Sequence, residues 1–125
     1  MGNWEMGSLN LIPEPGYIQR TGDEEFLLSK LYKIVLARDC NNMDLESARL
    51  LQKEILEIIG ITPGISKVID LKKAKLADKS IIYLKREPGN SESYKMRISN
   101  ERVEVIGADE AGLFYGVNTL RQIIR

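Results

Sequence analysis

Two sets of adjacent carboxylates, one cysteine and a run of lysines are the residues of this chain whose types could do chemistry. The acids are Asp23-Glu24-Glu25 and Asp109-Glu110. Glycosidic chemistry needs two carboxyls facing across a cleft, about 5–10 Å apart, at least one with a perturbed pKa. The first set falls in a turn, where acids are solvated decoration. The second opens a helix, where acids accept from free backbone N–H groups and complement the dipole. Neither reads as a catalytic pair. Cys40 lies in a polar turn near Lys33 and Arg38 with no general base around it, so it reads as an ordinary free cysteine. The basic run is Lys67, Lys72, Lys73, Lys75, Lys79, Lys85 and Arg86. It has Tyr83 as its one aromatic, and the chain has no GxxxxGK[ST] loop to cradle a phosphate. A solvated face or loop is the better reading. Trp4 and Tyr17 could form a sugar-stacking platform, but without a second motif they read as cover for the core edge. Asn118 and Gln122, one helical turn apart, suit a ligand, a helix surface or an interface.

Composition narrows the classes further. The 125 residues hold 18 Lys+Arg, 18 Asp+Glu, one Cys and no His, with 43% apolar and 29% charged residues, as in a globular domain. A (β/α)8 barrel needs about 250 residues and does not fit. Without His there is no Ser-His-Asp triad, Cys-His pair or imidazole metal ligand. A single Cys makes no intramolecular disulfide and no multi-Cys zinc site, and no cofactor is expected. Zero net charge gives no global attraction for nucleic acid or an anionic membrane, although residues 67–86 hold seven basic against two acidic residues. No apolar run approaches the roughly 18 residues of a membrane span, and Met1–Asn10 is not a secretory signal. The chain is expected to be cytoplasmic or a piece of something larger.

These residues must be held by a small set of elements. Residues 1–10 are expected to be a flexible segment and 11–125 one α/β domain. Pro13 and Pro15 enforce an extended lead into a short strand, Tyr17–Arg20, and Phe26–Leu28 is a second extended candidate. Tyr32–Ala37 reads as a strand with Tyr32, Ile34 and Leu36 on one face. After the turn Asp39-Cys40-Asn41-Asn42, Asp44 can cap a helix over Leu45–Ile59. There the apolar residues, Leu45, Ala48, Leu51, Ile55, Leu56, Ile58 and Ile59, fill an arc of about 160°, with Leu50 alone on the polar side. Gly60 is its stop. Ile65–Leu71 is ambiguous, and Ile81–Leu84 reads as a buried strand. Tyr94, Met96 and Ile98 alternate with polar residues, and Val103 and Val105 continue the alternation after Asn100-Glu101, as in a hairpin.

Asp109 is the expected cap of the last helix, whose seam is Leu113, Val117, Leu120 and Ile124. Gly112 and Gly116 each cost about 1 kcal/mol relative to Ala in a helix interior, which suggests that a neighbour approaches closely. Phe114 and Tyr115 fall off the seam by roughly 90° and more, on opposite flanks. A helix covering only its own sheet has no need of two aromatics there. It is therefore expected to touch a second surface.

The run Ser93-Tyr94-Lys95-Met96-Arg97-Ile98-Ser99, then Val103-Glu104-Val105-Ile106-Gly107-Ala108, then Asp109 to Gln122, resembles the end of the N-terminal α/β domain that precedes the barrel of family 20 β-N-acetylhexosaminidases. The family pattern is a Tyr-led strand, a second strand and a helix reading roughly D-x-x-G-x-x-Y-G-x-x-T-L-x-Q. Here Asn118 stands where a Gln is often seen. Ile12-Pro13-Glu14-Pro15 is similar to the start of that domain, and the resemblance covers about residues 9–125. It implies a two-layer sandwich, a mainly antiparallel sheet with two roughly parallel helices on one face, and helices sandwiched between the sheet and a (β/α)8 barrel. Phe114, Tyr115, Asn118 and Gln122 are then the expected barrel-facing residues. The family's catalytic Asp-Glu pair belongs to the barrel, so this chain alone is not expected to be an enzyme, whereas its parent is expected to be a glycosidase acting on terminal N-acetylhexosamine. Related domains precede family 84 and α-glucuronidase barrels, which leaves the substrate open. The alternative class is a free-standing module that binds carbohydrate or another macromolecule.

Overall fold

The turn after Arg38 does start a helix, but its cap lies three residues earlier than Asp44. The computed structural model describes residues 16–20 as backbone, 28–99 and 101–124, and in it α1 spans Asn42–Ile59 with Asn41 as N-cap. The Asn41 side chain accepts from the Asp44 N–H at 3.1 Å and the Asp44 carboxylate accepts from the Asn41 N–H at 3.0 Å. This reciprocal pair satisfies two of the helix's orphan donors. Gly60 ends the helix as expected: at φ 76° it adopts the left-handed conformation that glycine allows, and its N–H reaches the Leu56 carbonyl at 2.9 Å. The second helix, α2, spans Glu110–Ile124. Asp109 caps it as expected, with Oδ1 accepting from Gly112 N–H at 2.8 Å.

Six strands form one sheet: β1 Gly16–Arg20, β2 Lys33–Ala37, β3 Gly64–Val68, β4 Ile81–Arg86, β5 Tyr94–Ile98 and β6 Arg102–Gly107. Their spatial order is β1-β5-β6-β4-β2-β3. The two-layer α/β architecture is as expected, but the sheet is mixed, not mainly antiparallel. Only the β5–β6 hairpin is antiparallel, and the other four pairings are parallel. The reason lies in the connections. α1 carries the chain from β2 back to the start of β3, and residues 69–80 carry it from β3 back to β4. Crossovers of about a dozen residues are what parallel neighbours require. The ambiguous stretch after Ile65 is thus an edge strand followed by a crossover. Phe26 and Leu27 lie outside the described residues, as does the expected flexible segment 1–10, and Leu28 opens a 3-10 turn, Leu28–Lys30.

Alternation sorts the strands onto two faces. Ile34, Leu36, Ile82, Leu84, Met96, Val103 and Val105 meet Leu51 and Ile55 of α1 and Leu113, Val117 and Leu120 of α2 in the main core. Each fully buried side chain of this kind contributes roughly 1.5–3 kcal/mol. Tyr32 precedes its strand and is exposed instead of sharing the face of Ile34. On the far face Val35 and Ile81 are covered by Leu76 of the crossover. Central β4 is therefore buried on both faces, which explains its run of apolar residues.

The α2 seam packs as expected, and its glycines do mark close approaches. A Cβ on Gly112 would collide with the Ser93 carbonyl, and one on Gly116 would lie 2.6 Å from a Val105 methyl and 3.2 Å from the Tyr94 ring. The α1 arc differs at its end: Leu56, Ile58 and Ile59 are exposed, while Ser47 and Glu54 are buried. Arg121 of α2 accounts for Glu54, donating to it at 3.1 Å.

Candidate functional site

The helices run side by side in the same direction. Asn41 at the start of α1 donates to Glu110 at the start of α2 at 2.6 Å, and a dozen residues along Arg121 meets Glu54. Their shared inner side is spent on the sheet. The outer side of α2 carries all four residues singled out from the sequence. At 100° per residue, Phe114, Asn118, Gln122 and Tyr115 span about a 100° arc away from the buried seam, so the two aromatics share one outer side and do not lie on opposite flanks. Phe114 is 42% and Tyr115 39% exposed. Their ring centroids lie 6.1 Å apart with planes inclined by 54°. Asn118 is engaged within its own helix, donating to the Phe114 carbonyl at 3.1 Å and accepting from Arg121 at 2.9 Å. The two rings and Gln122 are exposed, and Asn118 is half-buried beside them.

Phe114 also lines a groove of about 400 Å³ between the two helices, with Ala111, Met43 and Leu50 as further apolar walls and Glu46, Ser47 and Glu110 as polar ones. Sequence reasoning did not place Met43 or Leu50 in a site. The signal was present in Leu50, a leucine alone on the polar side of its helix.

Beneath the groove, at the carboxyl ends of the parallel strands, sits a cluster that sequence reasoning missed. Arg86 Nε donates to the Asp44 carboxylate at 3.0 Å, and its Nη2 lies 3.9 Å from Glu110. Asp44 is 1% exposed. Burial disfavours the charge on Arg86, but the hydrogen bond and attraction of Asp44 outweigh it and hold the guanidinium above its usual pKa. One arginine thus ties β4 to the first turns of both helices. Cys40 is not in an open polar turn. It is buried, its Sγ lies 3.4 Å from the Leu84 carbonyl, and burial followed by the nearby Asp44 charge pushes its thiol up to about 12. A thiol so protonated is a packing group and not a nucleophile.

The basic run divides. Lys72, Lys73, Lys75 and Lys79 lie in the exposed crossover, as a solvated loop should, whereas Lys67 donates to the Cys40 carbonyl and the half-buried Arg86 turns inward to Asp44. Of Asp109-Glu110, Asp109 is the cap, with backbone N–H groups of Gly112 and Glu92 donating to it and lowering its pKa, while Glu110 accepts from Asn41. Asp23-Glu24-Glu25, Trp4 and the Tyr17 side chain lie outside the described residues. Among the described residues, no three His, Cys, Asp or Glu side chains are grouped to hold a metal, and no helix is long and apolar enough to cross a membrane.

Fold and site together define a small two-layer α/β domain: a sheet with one face under two helices, and helices with exposed apolar residues on their outer side. The family profile described as glycosyl hydrolase family 20, domain 2 matches residues 8–125. The chain belongs to that family. A search of curated proteins returns no match.

Proposed function

We propose that the chain is the non-catalytic accessory domain of a β-N-acetylhexosaminidase-like glycoside hydrolase, and that it packs against and stabilises the enzyme's (β/α)8 barrel. The single observation that carries this reading is the outer side of the helices. Their sheet-facing sides are already filled, yet Phe114, Met43 and Leu50 stand exposed around an apolar groove, with Tyr115 exposed beside Phe114. Contiguous exposed apolar surface of this kind marks a protein contact. The chain's part is mechanical: the sheet and the Arg86 cluster fix the two helices in parallel, and the helices present a preformed apolar surface. Hydrolysis of a terminal N-acetylhexosamine then belongs to the barrel, and this chain supplies neither of its carboxylates.

The direct test is the reading frame beyond Arg125. The proposal expects several hundred further residues with an adjacent Asp-Glu pair, and a stop codon with no associated barrel would overturn it. The isolated chain should not turn over an aryl N-acetylglucosaminide, and robust turnover would contradict the assignment of catalysis to the barrel.

A further inference from the structure

The sheet face turned away from the helices is where the chain's positive charge collects. Strand alternation and register put Lys33 of β2, Lys85 of β4, Lys95 and Arg97 of β5 and Arg102 of β6 on that face, opposite the core set. Two carboxylates sit among these cations, and each is shared. Glu104 lies 3.6 Å from Arg97 and 3.3 Å from Arg102. Glu87 lies 3.4 Å from Lys85 and 3.9 Å from Lys95. Each trio keeps one uncompensated positive charge. Beside them the 69–80 crossover, packed on this same face through Leu76, adds four exposed lysines against Asp70 and Asp78. At its rim the Nζ atoms of Lys33 and Lys79 lie 5.5 and 5.4 Å from the centre of the exposed Tyr32 ring. The two helices on the other side hold five acidic residues against three basic ones. A chain of zero net charge is therefore polarised across its thickness.

We propose that this basic sheet face binds an acidic glycan through its carboxylate groups, as a second surface independent of the helix side. Charge complementarity carries the proposal. Guanidinium groups engage carboxylates as planar forks and the lysines add point charges; Leu76 covers this face at Val35 and Ile81, and Lys95 and Arg97 of β5 are the more exposed of the strand cations. The choice of a glycan over other polyanions rests on the glycoside hydrolase reading above. It also agrees with the aromatics. Tyr32 stands at the rim and the half-buried Tyr83 lies under Lys85, 5.8 Å from its Nζ; among the described residues the charged rows from β4 to β5 carry no succession of exposed rings on which single-stranded nucleic acid stacks.

The test uses the whole chain and alginate oligosaccharides, which carry a carboxylate on every sugar, with neutral chitohexaose and a short single-stranded DNA as comparison probes. Alginate should bind, and its affinity should fall at least about tenfold between roughly 50 and 200 mM salt. Lys95→Glu with Arg97→Glu should abolish binding. Arg49→Glu with Lys53→Glu, on α1, should leave it unchanged. Lys95→Gln with Arg97→Gln serves if the reversed pair fails to fold, and should weaken binding at least about tenfold, since each lost ionic contact carries part of the salt dependence. Absence of alginate binding, equal loss from the α1 pair, or tighter binding of chitohexaose or DNA would overturn the inference. Docking to the barrel, measured separately, does not use this face, so loss of glycan binding with docking intact sinks this inference alone.

Discussion

The outward side of the helices leaves Met43, Leu50, Phe114 and Tyr115 in the open, whereas the outward side of the sheet carries Lys85, Lys95, Arg97 and Arg102 around two shared carboxylates. Both surfaces belong to one thin domain, and both are exposed. They differ in what water does for them. The charged face is satisfied in solvent, and its ion pairs contribute little to stability. The apolar face gains nothing from solvent and gains free energy only against another protein. Between the two lie two buried carboxylates with half-buried arginine partners: Asp44–Arg86 ties the first helix to β4, and Glu54–Arg121 ties the two helices to each other.

This contrast breaks most sharply at Arg86. Arg86→Met leaves the buried Asp44 carboxylate with the Asn41 N–H but no cation, and should destabilise the chain by about 3–5 kcal/mol, read by urea unfolding. Arg97→Met, on the charged face, should cost less than about 1 kcal/mol in the same assay. Equal losses would mean that the two faces are not distinct in kind. Next in size is Gly116→Val, which pushes a side chain into Val105 and Tyr94 and should cost about 1–3 kcal/mol. A neutral result would show that α2 can lift off the sheet.

A third measurement sharpens the helix side alone. Cys40 should alkylate at least about a hundredfold more slowly in the native chain than in urea, because its thiolate is suppressed and buried. Its pKa is raised on folding, so its contribution to stability is complete below the unfolded value of 9.0 and fades as pH climbs toward about 12. Rapid native alkylation would place Cys40 outside the core.

What the sequence made legible was local. Both helices follow from 3.6-residue periodicity, and the β5–β6 hairpin from alternation on either side of a short turn. The off-seam position of Phe114 and Tyr115 is simple angular arithmetic, and the close approaches at Gly112 and Gly116 follow from the cost of glycine in a helix. Strand direction was not legible, because it depends on where α1 and residues 69–80 return the chain. Once β4 enters between β2 and β6, parallel pairings dominate. Nor could composition reveal that Arg86, at the end of a lysine run, turns inward to an aspartate 42 residues away. Asp44 looked like a cap for the same reason. Its place at the third helical position is local, but its burial comes from a distant strand. Leu50 was legible only as an anomaly until α2 supplied the other wall of the groove.

The central claim is that the outer side of the helices is the docking surface. Its most direct test is the affinity of this chain for the barrel that the proposal expects in the same reading frame, expressed separately, with and without Phe114→Ser and Tyr115→Ser. Unfolding of the isolated chain should shift by less than about 0.5 kcal/mol, as for exposed positions. Affinity should fall at least about tenfold, as for truncation of buried aromatic anchors. Unchanged affinity with the double substitution, or collapse of the isolated fold, would contradict it.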